Sequence, residues 1–209
     1  MTGGATRTAD AVLVALPAYH AASLIKHLDA DLAADLASIQ YASSVLVNLA
    51  YRRADIPHPL DGFGFVVPAI ENRKIIACSF SSIKFPGRAP DGFALLRSFI
   101  GGAMQAWLYD MDDDELVRMT QDELRDLLGI EAPPLWSMLT RWPLSMPQYP
   151  VGHLRHVERI RSRTAQYPGL ALAGNAYGGV GVPDCVHAGE TAAEQALAWA
   201  SGKRATQTM

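Results

Sequence analysis

The chain has 209 residues, 49% of them hydrophobic and 19% charged, with a formal net charge of −3. That balance excludes a disordered chain and suits one large or two small globular domains. No basic excess marks nucleic acid as a partner, and two cysteines, Cys78 and Cys185, are too few for a disulfide framework or a thiolate metal site, so an intracellular compartment is expected.

The opening "MTGGATRTAD" is polar and does not read as a secretory signal. No apolar run approaches the roughly 20 residues that span a bilayer. "AVLVALP" (Ala11 to Pro17) is apolar throughout and reads as a strand buried on both faces, as in parallel sheets. "AYHAASLIKHLDADLAADLASI" is helical in composition, with a break expected near Asp29. "YASSVLVNLAYRR" (Tyr41 to Arg53) reads as a strand, and "IPHPLDG" as a loop punctuated by proline. Three more strands are expected in "FGFVVPAI" (Phe63 to Ile70), "KIIACSFSS" (Lys74 to Ser82) and "FALLRSFIGG" (Phe93 to Gly102). The short link "ENR" suggests a hairpin, and the whole stretch an antiparallel sheet.

"DDDELVRMTQDELRDLLG" (Asp112 to Gly129) is the clearest helix. Its acids crowd the first turn, where the helix dipole favours them, and Gly129 suits the C-terminal cap. Leu116, Met119, Leu124, Leu127 and Leu128 form one apolar stripe. "LWSMLTRWPLSM" reads as a strand, "GHLRHVERIRSRT" as a helix, "PGLALAG" as a short buried strand, and Pro183 to Ala200 as a last helix. The order is an α/β piece, a β-rich block and an α/β piece again. One mixed α/β domain, residues 1–29 and 164–209, interrupted by a second, residues 30–163, is the expected organisation.

The last strand runs into "LAGNAYGGVGVPDC", a loop of small residues ending at a helix start. Gly178, Gly179 and Gly181 leave the backbone bare for close approach. Pro183 fits a first helical turn, and Asp184 fits it electrostatically. The amides of Gly181 and Val182 would then be free to meet an electron-rich ligand edge, such as N1 and the C2 carbonyl of a flavin. On the loop's composition alone, a strand–helix connection with no ligand is the commoner use of such glycines.

The segment "LAGNAYGGVGVPDCVHAGETAAEQAL" closely resembles the C-terminal flavin-binding segment of the oxygen-dependent, FAD-containing protoporphyrinogen and coproporphyrinogen III oxidases of the flavin amine oxidase superfamily. "ADAVLVALPA" resembles their late FAD-domain strand. "HPLDGFGFVVP", "SFSSIKFPGRAPDG" and "LLRSFIGG" resemble their substrate-domain strands, and "MPQYPVGH" the segment before the last strand. The motifs stand in the family's order from Asp10 to about Ala200. The resemblance implies an FAD-binding domain remnant carrying an antiparallel substrate domain. It also implies oxidation of a porphyrinogen by O2 in haem biosynthesis. Cofactor contacts fall on Gly174, Asn175, Val180, Gly181 and Val182, and substrate contacts on Val66, Ser79 and Phe99. At Ser79 family members often carry a larger apolar residue, and for Val66 and Phe99 core packing stays open as the alternative.

The family opens with a dinucleotide-binding G-x-G-x-x-G, which these residues do not contain: Val67 follows "GFG" and Asp184 follows "GGVG" where the third glycine belongs. The chain thus resembles the C-terminal half alone. The pyrophosphate subsite and the family's carboxylate-gripping polar residue would lie in the other half. The chain on its own is expected to be inactive and to need an N-terminal FAD-binding half, from the same gene or a separate chain. A cytoplasmic place is expected, with peripheral contact at the inner membrane allowed by the poor solubility of porphyrinogens. A non-catalytic fragment or split-enzyme subunit, and a general flavin amine oxidase, are the alternative readings. No acid–base residue stands out as catalytic, and no metal is expected. His153-x-x-His156 lacks a third ligand. Cys185 and His187 do not share a helical face. "DDDE" reads as a solvated helix start, and Arg52, Arg53, Arg159, Arg161 and Arg163 read as solvated surface.

Overall fold

The computed structural model describes residues 6–207, and side chains as far as residue 202. The first five residues of the polar opening segment lie outside the described residues. The fold is mixed α/β, with one parallel and one antiparallel sheet, and divides into two units. One is the chain up to Gln40 together with the chain from Pro147; the other is Tyr41–Met146.

In the first unit, β1 (Val12–Val14) pairs in parallel with β7 (Leu170–Leu172), Leu13 opposite Ala171. α1 (Ala18–Ile25) buries Ala18, Ala21, Ala22 and Ile25, one stripe at helical spacing. The expected break falls at Asp29, whose side chain caps α2 (Ala30–Ala37) by accepting from the Leu32 amide at 2.8 Å. That bond holds the Asp29 carboxyl below its usual range. α5 (His153–Thr164) buries Val157 and Ile160, and its Arg159 and Arg163 reach Asp35 of α2 at 3.4 and 3.5 Å. α6 (Val182–Gln207) sets Ala192 against Ala171 and Ala173. Gly169 (φ +87°) is needed where the chain enters β7, because a Cβ there would lie 2.8 Å from the Trp199 indole.

One expectation changes here. The unit boundaries fall at 40/41 and 146/147, not at 30 and 163, because α2 and α5 pack on each other within the first unit. β1 lies in a two-stranded sheet, and Val12 is 53% exposed, so among the described residues nothing covers the second face of this apolar strand.

The second unit is a five-stranded sheet in the order β3-β4-β5-β2-β6. The strands are β2 (Tyr41–Arg52), β3 (Gly64–Val66), β4 (Ile75–Phe80), β5 (Phe93–Gly101) and β6 (Trp136–Pro147). A single turn, α3 (Ser81–Lys84), follows β4. β3–β4, β4–β5 and β5–β2 are antiparallel. Alternate residues of β2 and β5, among them Val45, Val47, Leu49, Leu96 and Ile100, point into one core. α4 (Asp113–Leu128) covers that face with Leu116, Met119, Leu124 and Leu128. Each fully buried leucine contributes about 1.5–3 kcal/mol over an exposed one. Asp112 caps α4 by accepting from the Asp114 amide at 2.9 Å, and Gly129 (φ +70°) ends it. Strand "FGFVVPAI" is shorter than expected: Pro68 follows β3 and starts a 3-10 turn, since proline cannot donate to a ladder.

Candidate functional site

The first candidate region is the loop from β7 to α6. Gly174 (φ +137°) and Gly179 (φ +150°) adopt backbone that side chains rarely tolerate. Three consecutive carbonyls of the loop are held from the Pro147–Arg161 segment. The Tyr149 hydroxyl donates to the Asn175 carbonyl. His153 Nε2 bonds the Ala176 carbonyl at 3.0 Å, and Arg161 Nη2 donates to the Tyr177 carbonyl at 3.4 Å. A carbonyl can only accept, so His153 carries its proton on Nε2. The Tyr149 ring stacks on His153 with centroids 4.1 Å apart, and partial burial raises the Tyr149 hydroxyl above its usual range.

At the helix start, Asp184 folds back so that its Oδ2 accepts from the Gly181 amide at 3.3 Å, while Cys185 N donates to Gly181 O at 3.0 Å. Gly181 is therefore the N-cap, and Asp184, three residues on, satisfies its amide, which is one of the two bonds of a capping box. The Gly181 amide, expected to be free, is thus occupied by Asp184. The amides of Val182 and Asp184 remain in the first turn, and Pro183 between them has none. Val180 is 46% and Val182 78% exposed, leaving apolar surface beside those amides, while Gly174, Asn175 and Gly181 are half-buried.

The second region is the sheet face turned away from α4. Cross-strand pairing sets Val66 opposite Ala77, Ala77 opposite Phe99, and Phe99 opposite Leu46. The next row runs Gly64, Ser79, Arg97 and Asn48. Val66, Ser79 and Phe99 therefore share one face, and none belongs to the buried core cluster on the other. Val66 is 76% exposed, and Ser79 and Phe99 are half-buried. Gly64 (φ +132°) lets β3 close on β4, because a Cβ there would lie 2.1 Å from the Cys78 carbonyl oxygen. Burial pushes the Cys78 thiol, on the core side, up to about 12.

The remaining candidates have structural roles. His156 Nε2 bonds the Asp35 carbonyl at 2.9 Å, and no cluster of three ligating side chains occurs among the described residues. Arg53 is half-buried and donates to the carbonyls of Ile56, His58 and Pro59, so it folds the proline loop rather than lying solvated. Arg159, Arg161 and Arg163 likewise serve α2 and the glycine loop. No helix is long and apolar enough to cross a membrane among the described residues. Sequence reasoning missed Tyr149, His153 and Arg161 as anchors of the loop, and Arg97 and Asn48 on the open face. The one signal for the last two was a polar residue within an apolar run, Asn48 in "VLVNLA" and Arg97 after "FALL".

The model of the flavin containing amine oxidoreductase family matches residues 1–197. The coproporphyrinogen III oxidase of Bacillus subtilis is 32% identical over 95% of this chain and 42% of its own length. That of Propionibacterium freudenreichii is 36% identical over 94% of this chain and 37% of its own. The chloroplastic protoporphyrinogen oxidase of rice is 31% identical over 90% and 37%. A solved putative protoporphyrinogen oxidase from an Exiguobacterium species superposes with a TM-score of 0.75 at 33% identity, over 88% of this chain and 40% of that one. A cyclohexylamine oxidase from Brevibacterium oxydans, at 17% identity and a TM-score of 0.71, shares the fold. The chain thus spans about two fifths of the length of these relatives. With a family match across nearly its whole length and the strand–glycine–helix order in place, the chain belongs to the flavin containing amine oxidoreductase family.

Proposed function

We propose that the chain is the C-terminal part of an FAD-dependent porphyrinogen oxidase. It would oxidise coproporphyrinogen III or protoporphyrinogen IX to the porphyrin, with O2 reduced to hydrogen peroxide. The observation that carries this is the glycine loop held by its carbonyls at the start of α6, in a chain whose 31–36% identical relatives bear those names.

The loop suits the edge of a flavin ring. Gly174 turns the chain with only the Leu16 carbonyl, at 3.7 Å, near its missing side chain. The Val182 and Asp184 amides, at the positive end of α6, would receive the electron-rich edge, and Val180 and Val182 would shield it from water. Tyr149, His153 and Arg161 hold that cradle by its carbonyls, so its donors need no reordering when a ring binds. When bound, the flavin supplies the acceptor for hydrogen from the porphyrinogen and passes electrons on to O2. Gly64, Val66 and Phe99 present a flat surface for a tetrapyrrole. The pyrophosphate needs a glycine-rich turn that these residues lack, so the working enzyme includes an N-terminal segment, in the same chain or another.

The test joins the chain to the N-terminal part of the B. subtilis relative that it does not match, and follows porphyrin fluorescence from coproporphyrinogen III in air. Turnover with peroxide release is expected. A folded, flavin-bearing chimera that makes no porphyrin faster than buffer would contradict the proposal.

A further inference from the structure

β5 carries one arginine on its open side. Arg97 stands opposite Asn48 of β2 and Ser79 of β4, in the row beside Val66 and Phe99. Its Nε donates to Asn48 Oδ1 at 2.9 Å, and Asn48 Nδ2 in turn donates to the Met138 carbonyl of β6 at 3.4 Å. Asn48 is only 3% exposed, so the relay that fixes the arginine is built into the sheet. The guanidinium is held by one edge. Its two Nη groups have no hydrogen-bond or ion-pair partner among the described residues. Its neighbours Leu46, Leu95 and Phe99 are apolar, and the exposed side chains of Trp136 and Met138 on β6 extend that surface. β6 belongs to the same face because Asn48 bonds Met138 while Leu139 packs in the core.

A half-buried cation with its forked donors unused costs free energy until an anion meets it. A guanidinium fork matches a carboxylate with two parallel bonds. The surface around it is flat and apolar. The geometry points to Arg97 as the anchor for a carboxylate of a flat apolar ligand. If the proposed function holds, on which this inference rests, that carboxylate is a propionate of the porphyrinogen. Asn48 positions the fork, and Phe99, Leu46 and Val66 receive the macrocycle.

The experiment titrates the FAD-loaded chimera described above with coproporphyrin III and with its tetramethyl ester in one detergent, reading quenching of tryptophan fluorescence. Arg97→Met and Arg97→Lys are compared with the parent, with far-ultraviolet circular dichroism as the control for folding. The parent should bind the acid more tightly than the ester. Arg97→Met should weaken acid binding about tenfold, the low end for a charge-assisted bond because the group is half exposed, and leave ester binding unchanged. Arg97→Lys should keep part of the preference. If Arg97→Met binds the acid as the parent does, or if the parent binds acid and ester alike, the role of Arg97 is overturned while the porphyrin face stands. If the parent binds neither porphyrin, the face is not a porphyrin site and the proposed function fails with it; cover by another polypeptide segment then becomes the better reading.

Discussion

Gly64→Ala offers a test that the structure makes quantitative. Gly64 pairs with Ser79, and its φ of +132° is one that an L side chain rarely adopts. An added Cβ would lie 2.1 Å from the Cys78 carbonyl oxygen, 2.8 Å from the Ser79 Cα and 3.0 Å from the Cys78 carbonyl carbon. All three are backbone atoms, so relief requires β3 to leave β4. The backbone strain alone costs roughly 1–3 kcal/mol. Losing the adjacent bond from Phe80 N to Phe63 O, now 3.0 Å, adds about 1 kcal/mol. The expected loss is about 2–4 kcal/mol in urea unfolding. Gly62→Ala is the control: nothing lies within 4 Å of its missing side chain, so a change within about 0.5 kcal/mol is expected. Hydrogen exchange should localise the damage to the amides of Val67 and Phe80, which bond across the β3–β4 pair. Porphyrin binding should weaken as well, because Val66 leaves the face. Equal stability of the two alanine variants would refute the close-approach reasoning.

Phe99→Ala should cost less stability than Leu96→Ala, its buried neighbour on the core side, yet raise KM for porphyrinogen in the complete enzyme; a purely structural loss would make Phe99 packing alone. Gly181→Leu places a Cβ 2.8 Å from Asp184 Oδ2, so the carboxylate must swing away, and the larger side chain should abolish FAD retention; unchanged FAD content would remove the loop from the site. Cys78 titrates near 12 when folded, above its ordinary 9.0, so the folded chain keeps a proton that the unfolded chain sheds. Stability is then full below pH 9 and declines as pH rises towards 12, by roughly 4 kcal/mol, and Cys78→Ala should lack this share of the decline in denaturation at pH 8 and 11.

The strands of the second unit were legible from their residue types: β2 is rich in Val, Leu and Tyr, and β5 in Phe, Leu and Ile, which fit a pleated surface. The "AVLVAL" run is apolar at every position, which implies cover on both faces, while β1 has one neighbouring strand and an exposed Val12 among the described residues; the letters show what the strand needs, not which residues supply it. The membership of α2 and α5 was illegible, since Asp35 meets Arg159 and Arg163 across more than a hundred residues of chain. The loop glycines were legible, but what holds them was not. Tyr149, His153 and Arg161 all bond backbone carbonyls, which every residue has, so no residue type at Asn175–Tyr177 advertises the contact. Asp184 was read correctly as an acid for the first turn of α6. That it reaches back to the Gly181 amide depends on a rotamer, which sequence does not state.

The most direct measurement is a single anaerobic turnover. The chain, joined to an N-terminal segment with the nucleotide turn and loaded with FAD, is mixed with coproporphyrinogen III without O2, and the visible flavin band and porphyrin absorbance are followed together. The expected result is bleaching of the flavin band in step with porphyrin formation, slowed or lost in the Phe99→Ala variant and restored to the oxidised spectrum by admitting air. A flavin that stays oxidised while the porphyrinogen persists, in a folded protein that holds both, would contradict the assignment of this chain to porphyrinogen oxidation.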